Sequence, residues 1–307
     1  MTETGRSASI VVVNKDDERV ADTLQALTAL DDASLKEIVV VDASQGRLDG
    51  IRRRFPSVQW VDYTHPEGKA RTIAEQRNEG IRSTSGDIVV FLDASCVPSE
   101  GWLSSLVAPI ECGREQIVVG AIVSSGGGSI HDATVTGDQG KARYLAECAN
   151  MNIAFRRDLF DRVGYFDESL GFAEDVDFAW RANDAGCRIF FEPRAAISHD
   201  WGNAREDLPR AFRYGVARVR LHRKHPSRWR NLYRSELYIS VYAVYLLTLP
   251  LAIVFPAYLL LLLYPLAKNR RNRPFALLAY QMTYALGALS EVMHIPVTKG
   301  QRASHFP

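Results

Sequence analysis

The sequence predicts an α/β fold on a mainly parallel, doubly wound sheet, followed by a basic neck and an apolar tail. Three observations predict it. Short apolar runs that suit buried strands alternate with amphipathic helical stretches over the first 200 residues. Three of those runs end in polar residues, and charge divides sharply along the chain. Positions 1–200 carry 21 Lys and Arg against 32 Asp and Glu, positions 201–234 ten against two, and positions 235–307 six against two, within a net charge of only +1. The 307 residues exceed what one ordinary core needs. The expected division is an α/β domain over 1–202, a basic amphipathic neck over 203–235 and an apolar region over 236–307.

The first strand, Ser9–Val13, leads into Asn14-Lys15-Asp16, and the second, Glu37–Val41, into Asp42-Ala43-Ser44. Ile88–Leu92 forms another, ending at Asp93-Ala94-Ser95. In open α/β sheets ligands bind just beyond the carboxyl ends of strands, so these polar side chains point to a nucleotide-type crevice. Between the strands, Glu18–Leu30 places Val20, Leu24, Leu27 and Leu30 on one helical face. Ala70–Ile81 does the same with Ile73, Ala74, Arg77 and Ile81. Lys69 and Arg71, just after Gly68, suit either phosphate neutralisation or a solvated helix start. Gly126–Gly128 through Gly140 reads as a flexible loop over the site or a surface turn.

The most informative run is Gly171–Arg181, where Glu174, Asp175 and Asp177 crowd the entrance of a helix-like apolar pattern. Acids there gain from the helix dipole and stay ionised, which suits one of them to take a proton from a hydroxyl nucleophile; the same run also reads as a well-capped helix start. Cys96, Cys112, Cys148 and Cys187 show no paired spacing, as expected of reduced thiols in a cytosolic domain. The polar stretch Met1–Ser9 does not resemble a secretory signal, so the α/β domain is expected on the cytosolic side.

Leu237–Ala267 is a run of 31 residues without Lys, Arg, Asp, Glu or His. At about 1.5 Å per residue a helix of that length reaches roughly 46 Å, too long for one upright crossing of a hydrocarbon core about 30 Å thick and too short for two. Pro250, Pro256 and Pro265 point to a broken or re-entrant hairpin. Phe275–Met293 is a second apolar stretch. Arg228, Arg230 and Arg234 precede the first stretch, and Lys268, Arg270, Arg271 and Arg273 follow it. If cations mark the cytosolic side, the stretch turns back on itself, with a single tilted span as the second reading. Arg210, Arg213, Arg218, Arg220, Arg223 and Lys224 in the neck would then lie near anionic headgroups or a lipid diphosphate, or else form a solvated basic helix. The expectation is a membrane-bound chain with no nucleic-acid partner.

Taken together, these residues resemble the inverting glycosyltransferases of family 2, with the GT-A fold. The resemblance covers about residues 8–202. It rests on Val-Val-Asp42, Arg77-Asn78-Glu79-Gly80, Phe91-Leu92-Asp93, Asn150 through Arg157, Glu174-Asp175 and Ser198-His199-Asp200-Trp201. The neck, Arg213 through Arg220 followed by Lys224-His225-Pro226, resembles bacterial exopolysaccharide-type members with C-terminal membrane helices.

The resemblance implies that Asp42 reads the nucleobase and that Asp93 meets the ribose or a metal-bound diphosphate. Asn14, Asp16, Arg77 and Ser95 complete the implied donor side. It makes Asp175 the catalytic base, with Glu174 beside it contacting the acceptor, and places Asn152 and Trp180 on the acceptor side. His199, with Asp93, would hold a divalent Mg or Mn or the diphosphate; a satisfied core histidine is the alternative. One departure stands out: the family's usual Asp-x-Asp is Asp93-Ala94-Ser95 here, and a neutral hydroxyl is a weaker ligand than a carboxylate. The implied reaction is a single displacement of a nucleotide sugar by a hydroxyl of a lipid-linked or glycan acceptor in cell-envelope or exopolysaccharide synthesis. A catalytically impaired, membrane-anchored nucleotide-sugar-binding protein is the alternative. A nucleotidyltransferase would want a Gly-rich phosphate loop after the first strand, and Val13-Asn14-Lys15-Asp16 is not one.

Overall fold

The structure is a computed structural model that describes residues 6–65, 72–131, 140–230, 236–271 and 273–293. Lys69, Arg71 and most of the Gly126–Gly140 loop's far half lie outside the described residues. The described parts of Met1–Ser125 and Val135–Asp200 form one compact unit, and those of Gly126–Thr134 and Trp201–Arg302 a second.

Among the described residues the first unit holds a sheet of nine strands: β1 (Ala8–Asn14), β2 (Leu35–Asp42), β3 (Gln59–Asp62), β4 (Ile88–Asp93), β5 (Cys96–Pro98), β6 (Ile117–Ser124), β7 (Arg143–Leu145), β8 (Asn152–Arg156) and β9 (Ile189–His199). Its order is β3-β2-β1-β4-β8-β6-β9-β5, with β7 against β9. The first four strands are parallel, as their unbroken apolar runs require when both faces are covered. β8 then runs antiparallel to both β4 and β6, and β5 and β7 run antiparallel to β9. The expected mainly parallel sheet is therefore mixed. Nothing in the alternation of elements marks that reversal, because β8 is short and its apolar pattern does not encode direction.

Six helices accompany the sheet among the described residues: α1 (Val20–Thr28), α2 (Asp49–Arg52), α3 (Ile73–Arg82), α4 (Trp102–Glu111), α5 (Leu159–Val163) and α6 (Glu174–Asp184). One face of the sheet packs Val11, Val39, Val89 and Ile153 against α3, α5 and α6, through a cluster of Phe91, Phe155, Phe160, Phe166 and Phe178. Phe166 and Phe178 lie 4.9 Å apart by ring centroids. Helix α3 sits so close to β1 that a Cβ at position 80 would overlap the side chain of Val11, which only glycine avoids. That approach fixes the height of Arg77 and Asn78 over the sheet.

The second unit is helical: α7 (Ala204–Lys224), α8 (Leu237–Thr248), α9 (Leu251–Val254), α10 (Leu263–Lys268) and α11 (Pro274–Val292), with a 3-10 turn at Pro256–Leu262. Asn203 caps α7 by accepting from the Arg205 backbone N–H at 3.0 Å. Ala211, Val219, Ile239, Tyr284 and Ala288 form its core. The arginines of the neck are partly consumed inside this unit, Arg218 on Glu236 at 2.6 Å and Arg220 and Arg223 on Glu291 at 2.9 and 2.8 Å.

The 31-residue apolar run is broken at its prolines. Pro250 precedes α9, Pro256 opens the 3-10 turn and Pro265 lies in α10. The chain doubles back there, with the rings of Tyr245 and Tyr258 stacked at 5.0 Å and Thr248 Oγ1 2.6 Å from the Tyr258 hydroxyl. Among the described residues no helix is long and apolar enough to cross a membrane. The expected C-terminal membrane helices are thus not found there; the 19-residue α11 carries polar residues such as Gln281 and Glu291.

Candidate active site

The site lies beyond the carboxyl ends of β1, β2 and β4, where the strand order reverses around β1. Asn14 ends β1 and pairs in register with Asp42 at the end of β2, while Val13 pairs with Asp93 at the end of β4. Asn14 is buried: its amide N–H donates to the Asp17 carbonyl at 3.2 Å, and its Oδ1 has no partner among the described residues. A buried acceptor left unmatched at a strand end suits a ligand donor group.

Asp42 is also buried, and one oxygen accepts from the Ser44 backbone N–H (3.1 Å) and hydroxyl (2.5 Å). Burial raises its carboxyl above the usual range, with Asp62 and Asp16 nearby adding to the effect and the Ser44 bonds opposing it. The Ser44 hydroxyl accepts in turn from the Asp16 backbone N–H at 2.7 Å. Asp16, in the left-handed region at φ 62°, holds Arg47 through a bond from Nε at 2.6 Å. Ser44 stands where the polar strand end predicts, and Arg47 is a crevice residue that the sequence pattern does not mark. A loop arginine carries no periodic signal, and only the turn that brings Asp16 to β2 exposes its partner.

Arg77, expected on the donor side, is buried and meets the donor-side acid Asp93. Its guanidinium is buried and joins two acids that are far apart in the chain, Glu174 through Nη1 and Asp93 through Nη2 at 3.2 Å. Asn78, next to it, closes a reciprocal pair with Phe166: its amide donates to the Phe166 carbonyl at 2.9 Å and its Oδ1 accepts from the Phe166 N–H at 3.0 Å. Two neighbouring residues of α3 therefore hold the segment that leads into α6.

Helix α6 starts at Ala173, in the left-handed region at φ 63°, without a side-chain cap, and has Glu174, Asp175 and Asp177 in its first turn. The three acids have separate fates. Asp177 is buried and bound by Arg181 at 2.8 Å. Glu174 is buried against Arg77, and burial together with the charge of Asp175 pushes its carboxyl up to about 7, although the guanidinium opposes this. Asp175 is half-buried, and one oxygen accepts from the Val176 N–H at 2.8 Å. Of the three it is the acid best placed to meet a second substrate.

His199 ends β9, opposite Cys96 of β5 in register. Its Nδ1 faces the Ser95 hydroxyl at 3.4 Å and the Cys96 thiol at 3.5 Å. Ser95 itself adopts φ 69°. Among the described residues no three His, Cys, Asp or Glu side chains gather as a cage for a metal ion. Asp93 and His199 beside a hydroxyl fit a Mg or Mn ion that takes most of its ligands from a bound diphosphate and water.

Two expected acceptor residues lie elsewhere. Asn152 is fully buried; its Oδ1 accepts from Trp102 Nε1 at 2.8 Å and its amide donates to the carbonyls of Ala121 and Ala195 at 2.8 and 2.9 Å. It locks strands together and has no atom to offer an acceptor. Trp180 is buried in α6, with its indole N–H on Glu147 at 2.9 Å. Motif position does not reveal that these two side chains turn into the core.

The chain belongs to glycosyl transferase family 2, whose profile matches residues 7–166. A pre-mycofactocin glycosyltransferase of Mycobacterium tuberculosis is 31% identical over 186 residues, 53% of this chain and 37% of that protein, so the chain spans little more than a third of that relative's length. Glycosyltransferase AglE of Haloferax volcanii is 27% identical over 258 residues, 78% of this chain and 82% of the relative. Among solved structures, mannosyltransferase PcManGT from Pyrobaculum calidifontis, in complex with GDP-Man and Mn2+, superposes with a TM-score of 0.70 at 20% identity, covering 96% of this chain and 89% of that one. The likeness establishes the shared GT-A-type fold.

Proposed function

We propose that the chain is an inverting glycosyltransferase that moves a sugar from a nucleotide-diphosphate donor to a hydroxyl of a lipid-linked acceptor in cell-envelope or exopolysaccharide synthesis. The observation that carries this reading is the division of roles among the acids of one crevice. Asn14 and Asp42 stand where a nucleoside would lie, Asp93 and His199 where its diphosphate would end, and Asp175 on the facing helix start. Asp175 takes the proton of the acceptor hydroxyl as the oxygen attacks the anomeric carbon, and the sugar–diphosphate bond breaks on the opposite face. A divalent ion bound with the donor would offset the charge developing on the leaving diphosphate. Asp93 would offer it an anionic oxygen and His199 a ring nitrogen, while the buried Asn14 and Asp42 would orient the nucleoside.

The lipid side of the reading is supported by the second unit. Ile253 and Val254 are 85% and 86% exposed, Tyr264 72%, and Leu260 and Leu261 are exposed beside them. Lys268, Arg270 and Arg271 follow directly. An apolar patch of this kind with cations at its base suits insertion into one leaflet of an anionic membrane, with the α/β unit on the cytosolic side. The alternative, a nucleotide-sugar-binding protein that has lost turnover, is favoured by Ser95 in place of the family's second acid. Purified full-length protein incubated with Mn2+, GDP-mannose or UDP-sugars and a polyprenyl phosphate separates the two. Release of nucleoside diphosphate with a sugar appearing on the lipid is expected; donor binding without release supports the alternative.

A further inference from the structure

We propose that Arg77 is a positioning residue, a buried cation that holds the donor-side carboxylate Asp93 and the helix carrying Asp175 in one register. The proposal rests on the reading that Asp93 serves the donor and Asp175 the acceptor. Its structural ground is the fork of one guanidinium, with Nη1 on Glu174 and Nη2 on Asp93, two acids separated by 81 positions in sequence. Asp93 ends β4 and Glu174 opens α6, immediately before Asp175. A planar guanidinium fixes the direction as well as the distance of both partners, which a single ammonium does not.

Further observations support placement rather than stabilisation as the purpose. The start of α6 has no side-chain cap, so the Glu174 pair is its anchor. Asn78 fixes the approach to that helix through both atoms of its amide, from the same turn of α3. A buried cation between acids is also a poor source of stability, because taking the charges out of water offsets most of their attraction. Nε of Arg77 is buried without a partner among the described residues, which is a further loss. Gly80 sets the height of this turn by letting α3 rest on Val11. Donor and acceptor groups are thereby coupled through one side chain whose own atoms face neither substrate.

The test uses the full chain with Arg77→Met and Arg77→Lys. Lys keeps the charge but cannot reach both acids at once, so Arg77→Lys is expected to keep the thermal midpoint near that of the parent while nucleoside diphosphate release slows about 100-fold, as for a misplacement of about 1 Å. Hydrogen exchange supplies a readout that does not depend on turnover. The amides from Asp177 through Trp180, the first of α6 with backbone partners, should exchange at least about tenfold faster in both variants, with those of α1 unchanged. Mn2+ with GDP or UDP should slow that exchange in the parent and no longer do so in the variants. Parent-like turnover in a folded Arg77→Lys protein, or unchanged exchange at α6 in both variants, overturns the positioning role. A parent that releases no nucleoside diphosphate counts against the proposed reaction instead, and the exchange data still decide the role of Arg77.

Discussion

At the scale of single residues, Asp175 and Glu174 are neighbours with opposite environments. Asp175→Asn removes the proton acceptor at nearly the same shape and should lower turnover at least about 1,000-fold while leaving the donor affinity within about twofold by calorimetry. Glu174 should show itself in stability. Its carboxyl sits near 7 in the folded protein against an ordinary 4.5, so the folded state keeps a proton that the unfolded chain has lost, and stability falls as pH rises from about 4.5 through 7. Glu174→Gln should flatten that part of the urea-midpoint profile, raising stability at pH 8 and changing it little at pH 4. An unaltered slope would show that the burial of Glu174 is fully compensated. Asp42 and Asp93 were legible in the sequence because each closes an unbroken apolar strand. The fates of Glu174, Asp175 and Asp177 were not, since a run of acids does not say which one meets Arg77, which meets Arg181 and which stays half-exposed.

At the scale of elements, β8 and the β4 turn carry the sharpest tests. Asn152→Ala removes three hydrogen bonds and leaves Trp102 Nε1 and two buried carbonyls unmatched, so it should cost roughly 2–4 kcal/mol in denaturant unfolding. The acceptor KM of the remaining folded enzyme should not move; a raised KM would restore Asn152 to the acceptor side. Ser95→Asp introduces a carboxylate where the Ser95 hydroxyl faces His199, at a left-handed position that Asp tolerates. It should lower the Mn2+ concentration for half-maximal activity about tenfold. The parallel half of the sheet and the existence of α1 and α3 were legible from periodicity. The antiparallel β8 was not, because strand direction depends on the connection through residues 124–152 rather than on the strand's own side chains. The polar residues Gln76 and Asn78 of α3 are buried together with Arg77. Arg77 at the spacing of Ile73, Ala74 and Ile81 was the one available clue.

At the scale of the whole molecule, the chain combines an α/β unit of the family 2 glycosyltransferase fold with an apolar helical unit whose prolines divide what would otherwise be one long apolar run. The absence of charge from 237 to 267 and the flanking cations were legible; the way Tyr258 folds back on Tyr245 required the structure. Replacing Ile253, Val254 and Phe255 together by Ser should leave donor binding intact and sharply reduce flotation with vesicles that contain anionic lipid, and salt should release what remains, since headgroup attraction is screened within about 10 Å at 0.1 M. Parent-like flotation of the triple variant would place the contact elsewhere. The central claim is a single displacement with Asp175 as base in the crevice formed by β1, β2, β4 and α6. Proton NMR of the first glycosidic product measures it most directly. An α-linked nucleotide sugar should yield only the β-linked product, and a product with the donor's own anomeric configuration would contradict the claim.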